Sequence, residues 1–214
     1  MTHLVVIADV IASRQLPDRA AVQRRLRRSL DARNAAHTEG DLLSPYTLTL
    51  GDEFQAVPAR GQGLFHDLLQ VAADLAPAQF RFALGLGDID TAINAQQAIG
   101  MDGSAFHSAR GGIQRLKDEG GHCRVDGLAG VTAELVNHGL TLAFGRLAGT
   151  RGSRLPLAAG LLDDEPIADI AARLERTEQT LYKTVRTADL HALVGFLHAV
   201  EALLDERLGA AAGT

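Results

Sequence analysis

Two carboxylates stand out because of where they sit. Asp9 interrupts Leu4-Val5-Val6-Ile7-Ala8-Asp9-Val10-Ile11-Ala12, an apolar run that otherwise reads as a fully buried strand. Burying a carboxylate unpaired costs several kcal/mol or forces it to protonate, so a cation, an arginine or helix-terminal amides must lie beside it. The second acid, Asp52, belongs to a hairpin pattern. Leu48 and Leu50 alternate with Thr47 and Thr49, Gly51-Asp52 reads as a two-residue loop with glycine at positive φ, and Phe54 and Ala56 resume the alternation. A strand carrying an aspartate, then a helix, then a hairpin with an acidic tip bring Asp9 and Asp52 to one edge of a sheet. There they can share a hard divalent ion, Mg²⁺ or Mn²⁺. The alternative is that Asp9 pairs with Arg14 while Asp52 only makes the turn.

The elements that must position these acids follow from periodicity. Pro17-Asp18 starts a helix whose Val22, Leu26 and Leu30 form one apolar stripe. After the hairpin a helix runs from about Gly61 to Leu75, and Gln79 to Leu86 alternates again as a strand. Asp102-Gly103-Ser104 opens a third helix through Lys117, Gly120-Gly121 stops it, and His122 to Asp126 is a last short strand. Gly85-Leu86-Gly87 reads either as a weak phosphate-loop signal or as close packing at a strand end. The order begins as the βαββαβ arrangement of ferredoxin-like domains, in which the first strand and the hairpin are central neighbours.

The segments Ile7-Ala8-Asp9-Val10, Leu50-Gly51-Asp52-Glu53-Phe54, Arg81 to Gly87 and Gly100 to Arg110 resemble the SatD family of bacterial proteins over nearly the whole chain. Residues 1–126 also resemble the palm domain of class III nucleotidyl cyclases and diguanylate cyclases. That resemblance implies that Asp9 and Asp52 match the two metal-binding aspartates. It further implies that the backbone after Asp9, from Val10 to Ser13 with Arg14 beside it, cradles the phosphates of a nucleotide. Arg110 then matches the helix arginine that stabilises a transferring phosphate. Two departures bear on turnover. Phe106 stands where the cyclases have an asparagine one helical turn before that arginine, and Lys117 is the only lysine before residue 183, leaving none to read a base.

Residues 127–150 carry Leu128, Val131, Leu135, Val136, Leu140 and Leu142 and read as a helical connector, with Gly139 predicting a break. Residues 151–214 read as an all-α domain. Pro166 starts a short helix with Ile167, Ile170, Ala171 and Leu174 inward; a turn at Glu175-Arg176-Thr177 leads to a second helix with Leu181 and Val185 inward. Ala171, a turn residue four positions on and Leu181 ten positions on resemble the helix-turn-helix of sigma factor region four, with Glu175 where the turn glycine usually stands. The resemblance implies DNA contacts from Arg176, Gln179, Thr180, Lys183 and Arg186. The alternative is a helical packing module.

Composition bounds the rest. With 214 residues, 46% hydrophobic, the chain buries a real core. No run approaches the ~18 to 20 uncharged apolar residues of a membrane span, and the lone Cys123 fits a reducing compartment, so a cytoplasmic protein without membrane insertion is expected. Net charge is −5, so any nucleic-acid contact must be local. Seven arginines between Ser13 and Arg33 face two acids, a local attraction for phosphates or a solvated helix face. The fold expected is α+β, a ferredoxin-like palm followed by a helix-turn-helix domain. The function expected is a nucleotide- and metal-binding regulator that reads DNA as a homodimer. The alternatives are a nucleotidyl cyclase or nucleotidyltransferase using Asp9 and Asp52 with two metal ions, and a structural module without ligand.

Overall fold

β1 (His3–Val10) occupies the centre of the sheet, and its composition dictates this: every residue from Leu4 to Val10 is buried. A strand buried on both faces needs both edges paired and both faces covered. The computed structural model describes residues 1–13, 18–148 and 154–210. In it β1 is flanked by β3 (Glu53–Pro58) and β4 (Phe80–Gly87), both antiparallel to it. Outside these lie β2 (Leu42–Leu48), antiparallel to β3, and β5 (Cys123–Asp126), parallel to β4, giving the order β2-β3-β1-β4-β5. The chain is an α+β protein, with its first eight elements in the expected order.

Alternation along β1 feeds two cores. Leu4, Val6, Ala8 and Val10 join Leu26 and Leu30 of α1 (Arg19–Ala36) and the apolar face of α2 (Leu64–Leu75). Val5 and Ile7 join Ala105, Phe106, Ala109, Ile113 and Leu116 of α3 (Ser104–Glu119) on the other side. The glycines of β4 make that second layer possible: a Cβ on Gly85 would fall on the Ala105 carbonyl and within 2.5 Å of the Ala109 amide nitrogen. Close helix packing accounts for Gly85 and Gly87, so the phosphate-loop reading is set aside. Cys123 is buried, and burial pushes its thiol up.

The hairpin differs from expectation by one residue. Leu48 pairs with Phe54 and the Thr49 N–H donates to the Glu53 carbonyl at 2.8 Å, so the loop is Leu50-Gly51-Asp52, three residues long. Gly51 takes φ 63°, the left-handed position such loops require. Leu50 therefore leaves the strand and is 74% exposed.

After β5, α4 (Gly130–Leu147) runs unbroken through Gly139. The expected break is absent because Gly139 is held under the Phe196 ring, where any Cβ would collide. Four helices complete the described chain: α5 (Arg154–Leu162), α6 (Ile167–Arg173), α7 (Glu178–Thr187) and α8 (Leu190–Ala210). Their buried residues belong to the same cluster as the sheet face under α1 and α2. Among the described residues no single helix is long and apolar enough to cross a membrane.

Polar contacts add to the shared core in tying the two halves together. α2 starts at Gly63 with no side-chain cap of its own. Instead α8 supplies carboxylates: Glu201 Oε1 accepts the Phe65 N–H at 2.9 Å, and Asp205 accepts those of Gly61 and Gln62 at 2.5 and 3.2 Å. Carboxylates at a helix N-terminus satisfy orphan donors and complement its dipole. Glu201 is only 3% exposed, and burial raises its pKa above the ordinary 4.5, while the Phe65 amide and His198 pull the other way. A carboxyl with a raised folded pKa contributes stability that is full below 4.5 and is lost as pH rises through the folded value. Glu201→Gln keeps an oxygen for Phe65 but cannot ionise. Urea unfolding across about pH 4 to 8 is therefore expected to show the wild type losing stability relative to Glu201→Gln as pH rises; a constant difference would contradict this.

Candidate functional site

β1 ends where the hairpin turns, and this end of the sheet collects the charged groups. The Val10 N–H donates to the Asp52 carbonyl at 3.1 Å, and Asp9 sits in register with Glu53 on one side and Arg81 on the other. Directly opposed residues share a face, so Glu53, Asp9 and Arg81 form a row across three strands under α3. Lys117, from the last turn of α3, completes it. Its Nζ lies 2.9 Å from Asp9 Oδ2, and Arg81 Nη1 lies 3.5 Å from Oδ1. Arg81 is itself fixed by its Nε, which donates to the Leu116 carbonyl at 3.3 Å. The Thr49 hydroxyl donates to Glu53 Oε1 at 3.1 Å.

Asp9 is 9% exposed, so the demand for a counter-charge is real, and two cations meet it. Arg14, the partner weighed from sequence, lies outside the described residues. Asp9 Oδ1 nevertheless accepts no hydrogen bond among the described residues. It is an ionic contact without a donor aimed at it.

Asp52 faces the other way. It shares parity with Phe54 and Ala56, which point to the α1 side, and it lines a cavity of about 260 Å³ with Gly51, Ser13, Arg19, Val22 and Gln23. The register thus brings Asp9 and Asp52 to the same end of the sheet but onto opposite faces. The acid that shares a face with Asp9 is Glu53. Val10 is buried and contributes backbone; Ser13 reaches the cavity. Arg110 is not brought to this end. It lies seven residues before Lys117 on α3, about 10 Å along the helix axis, with its guanidinium 5.9 Å from the Phe106 ring centroid and 3.9 Å from Asp102. Phe106 is fully buried. Among the described residues no cluster of three or more His, Cys, Asp or Glu is arranged to hold a metal by itself.

A cavity of about 460 Å³ is a separate apolar space under Phe80, Phe82 and Phe144. It has no acid or arginine in its lining and so does not suit a phosphate.

At the C-terminal end, Glu175 between α6 and α7 takes φ 51°, the left-handed conformation that a turn glycine adopts without strain. Thr177 caps α7 by accepting the Thr180 N–H, and Leu181 and Val185 point inward. Arg176, Gln179, Thr180, Lys183 and Arg186 are all exposed. Gln179, Lys183 and Arg186 share one face with Tyr182, which is 56% exposed. The Thr180 hydroxyl is held 2.8 Å from that of Thr177. Lys183 and Arg186 have no ion-pair partner among the described residues.

Residues 3–129 match the family model described as the SatD family. The chain belongs to the SatD family. No curated protein matches it. The SatD segment contains β1, the hairpin, β4 and all of α3, hence every charged group at the sheet end, and it stops before α4.

Arg81, Lys117 and Gln23 join the sheet end without having been assigned to the site from sequence, Arg19 had been counted only among the seven N-terminal arginines, and Tyr182 joins the α7 face. Glu53 was legible as a hairpin acid, but its face is set by the β1–β3 register. Lys117 carried no signal at all, because it arrives from a helix 108 positions after Asp9 (117 − 9).

The ion pair can be weighed directly. Lys117→Ala leaves Asp9 with Arg81 alone and is expected to cost about 1 kcal/mol, modest because Lys117 is 43% exposed. Asp9→Asn added to it removes the charge that needed pairing, so a double-mutant cycle by urea unfolding should give a coupling of about 1 kcal/mol. Coupling near zero would mean that the pair does not form.

Proposed function

We propose that this protein is a cytoplasmic regulator that binds a nucleoside phosphate with a divalent cation at the end of its sheet and contacts DNA through α7 as a homodimer. The observation that carries the first part is the cavity between the start of α1 and the hairpin tip, where Ser13, Arg19, Gln23, Gly51 and Asp52 converge. Its lining supplies a cation, hydroxyl and amide donors for phosphate and a carboxylate for a metal. At about 260 Å³ it is smaller than the roughly 300 to 1,000 Å³ of whole-ligand pockets. It suits the phosphate chain, with the base outside.

The donor set fits the cation. Mg²⁺ is ordinarily held by one or two carboxylates plus the ligand's phosphates, so Asp52, the one carboxylate lining the cavity, suits an ion that arrives with its nucleotide, while Asp9 lies on the opposite face. The antiparallel order β4-β1-β3-β2 supports the ferredoxin-like palm reading. Turnover has less support: Phe106 is core, and Arg110 sits away from the acids. Anisotropy titration of ribose-labelled ATP and GTP analogues is expected to show Mg²⁺-dependent binding that Asp52→Asn and Arg19→Ala each weaken about tenfold or more. Affinity unchanged by metal and by both variants would refute the site.

The DNA reading rests on the left-handed turn at Glu175 and on the exposed Gln179, Lys183 and Arg186 face. Lys183→Ala/Arg186→Ala is expected to weaken binding to all duplexes and reduce its salt slope, while Gln179→Ala relaxes sequence preference. Mobility shifts against fragments flanking the protein's own gene, at two salt concentrations, measure both. Absence of specific and salt-dependent binding, with and without nucleotide, would leave α6–α8 as a packing module.

A further inference from the structure

α4 is apolar on two sides. Val136, Leu140, Ala143, Phe144 and Leu147 are buried against the body, yet Val131, Leu135 and Leu142 on the opposite side are 69%, 68% and 74% exposed. No other helix among the described residues exposes more than one large hydrophobic residue. Covering these three side chains would recover a useful part of the free energy of apolar burial.

We propose that this face pairs antiparallel with α4 of a second copy of the chain, across a two-fold axis at His138. The exposed positions 131, 134, 135, 138, 141, 142 and 145 are symmetric in spacing about 138, which is what an isologous helix pair requires. On a helix turning 100° per residue, Val131, Leu135, Leu142 and Arg146 fall on one flank of the line through His138, and Glu134, Thr141 and Gly145 on the other. An antiparallel two-fold pair brings like flanks together. Leu135 then packs on Leu142 of the second copy, and Val131 lies along the aliphatic stem of its Arg146. Glu134 meets the hydroxyl of its Thr141, and Gly145 leaves the space that close approach needs. No carboxylate faces a carboxylate and no arginine an arginine. A parallel pair would bring unlike flanks together, setting Leu135 against Glu134 and Leu142 against Thr141 of the second copy, so the sequence selects the antiparallel arrangement.

This gives the surface for the homodimer named above and rests on that part of the reading alone; it needs neither nucleotide nor DNA. One helix about 27 Å long is a small interface, so the dimer is expected to be reversible, with Kd on the order of 10 µM.

The test uses the full chain, whose single native cysteine, Cys123, is buried and does not compete in cross-linking. Mild oxidation of His138→Cys is expected to give a disulfide-linked dimer, because two-fold symmetry brings position 138 to itself. Val131→Cys is expected to stay monomeric, its two copies lying about 21 Å apart. In sedimentation velocity, Leu135→Lys/Leu142→Lys should shift the wild-type dimer to monomer with an unchanged circular dichroism spectrum. A wild type that stays monomeric at about 100 µM overturns the proposal. So does a dimer that survives the double lysine variant, or cross-linking of Val131→Cys as efficient as that of His138→Cys. Binding of a different protein to this face with no self-association would also overturn it. Nucleotide and DNA binding in the monomeric variant are scored separately, which keeps a failure here distinct from a failure of those readings.

Discussion

The sheet end is organised by one aspartate in a strand that has no exposed residue from Leu4 to Val10. Asp9 is largely shut off from water, and the fold brings cations to it: Arg81 from the adjacent strand and Lys117 from the end of the helix above. That requirement constrains much else. Lys117 reaches Asp9 only if α3 lies flat on β4 and β1, and α3 lies flat only because Gly85 and Gly87 present bare backbone to Ala105 and Ala109. The two glycines and the aspartate are parts of one arrangement. Replacing a buried ion pair with apolar residues is often neutral or stabilising in proteins. The Asp9 pair, with Lys117 43% exposed, is therefore weak evidence for stability on its own.

What the chain revealed before folding was local. A continuous apolar run marked β1, period-two alternation marked the hairpin and β4, and the polar residue inside that run pointed to Asp9 and to its need for a partner. The arrangement of Asp9 relative to Asp52 was not legible. It turns on the β1–β3 register, in which Asp9 pairs with Glu53, and a slip of one residue moves side chains to the opposite face. Gly51 was identified as the positive-φ residue, so the turn was visible while the register was not. Gly139 misled for a related reason. Glycine in a helical pattern signals a break only if nothing requires the absence of a side chain, and Phe196 requires it here.

The same lesson applies with the opposite sign at Glu175. It stands where the resembled turn usually has glycine, yet the backbone takes φ 51° there, and 53° and 52° at Asp164 and Asp189 beyond the ends of α5 and α7. Left-handed non-glycine residues cost roughly 1 kcal/mol each, and these three are acids near helix C-termini, where the dipole does not favour them. The helices are held regardless because they share a core with the sheet. α8 carries this integration furthest, packing on α5 and α7 and placing Glu201 and Asp205 over the start of α2, which in turn lies against α1 and the cavity wall. A ligand that shifts α1 thus has a continuous mechanical route to α7 through packed helices and capping hydrogen bonds.

The central claim is that cation and phosphate bind at the end of the sheet. The most direct measurement is paramagnetic broadening in ¹H–¹⁵N spectra of the labelled protein with a nucleoside triphosphate and substoichiometric Mn²⁺. The account predicts selective loss of the amide signals of Val10, Gly51, Asp52 and Glu53, with those of α6 and α7 retained. Broadening centred on the acidic turn at Asp163-Asp164-Glu165, or no selective broadening at saturating nucleotide, would contradict it.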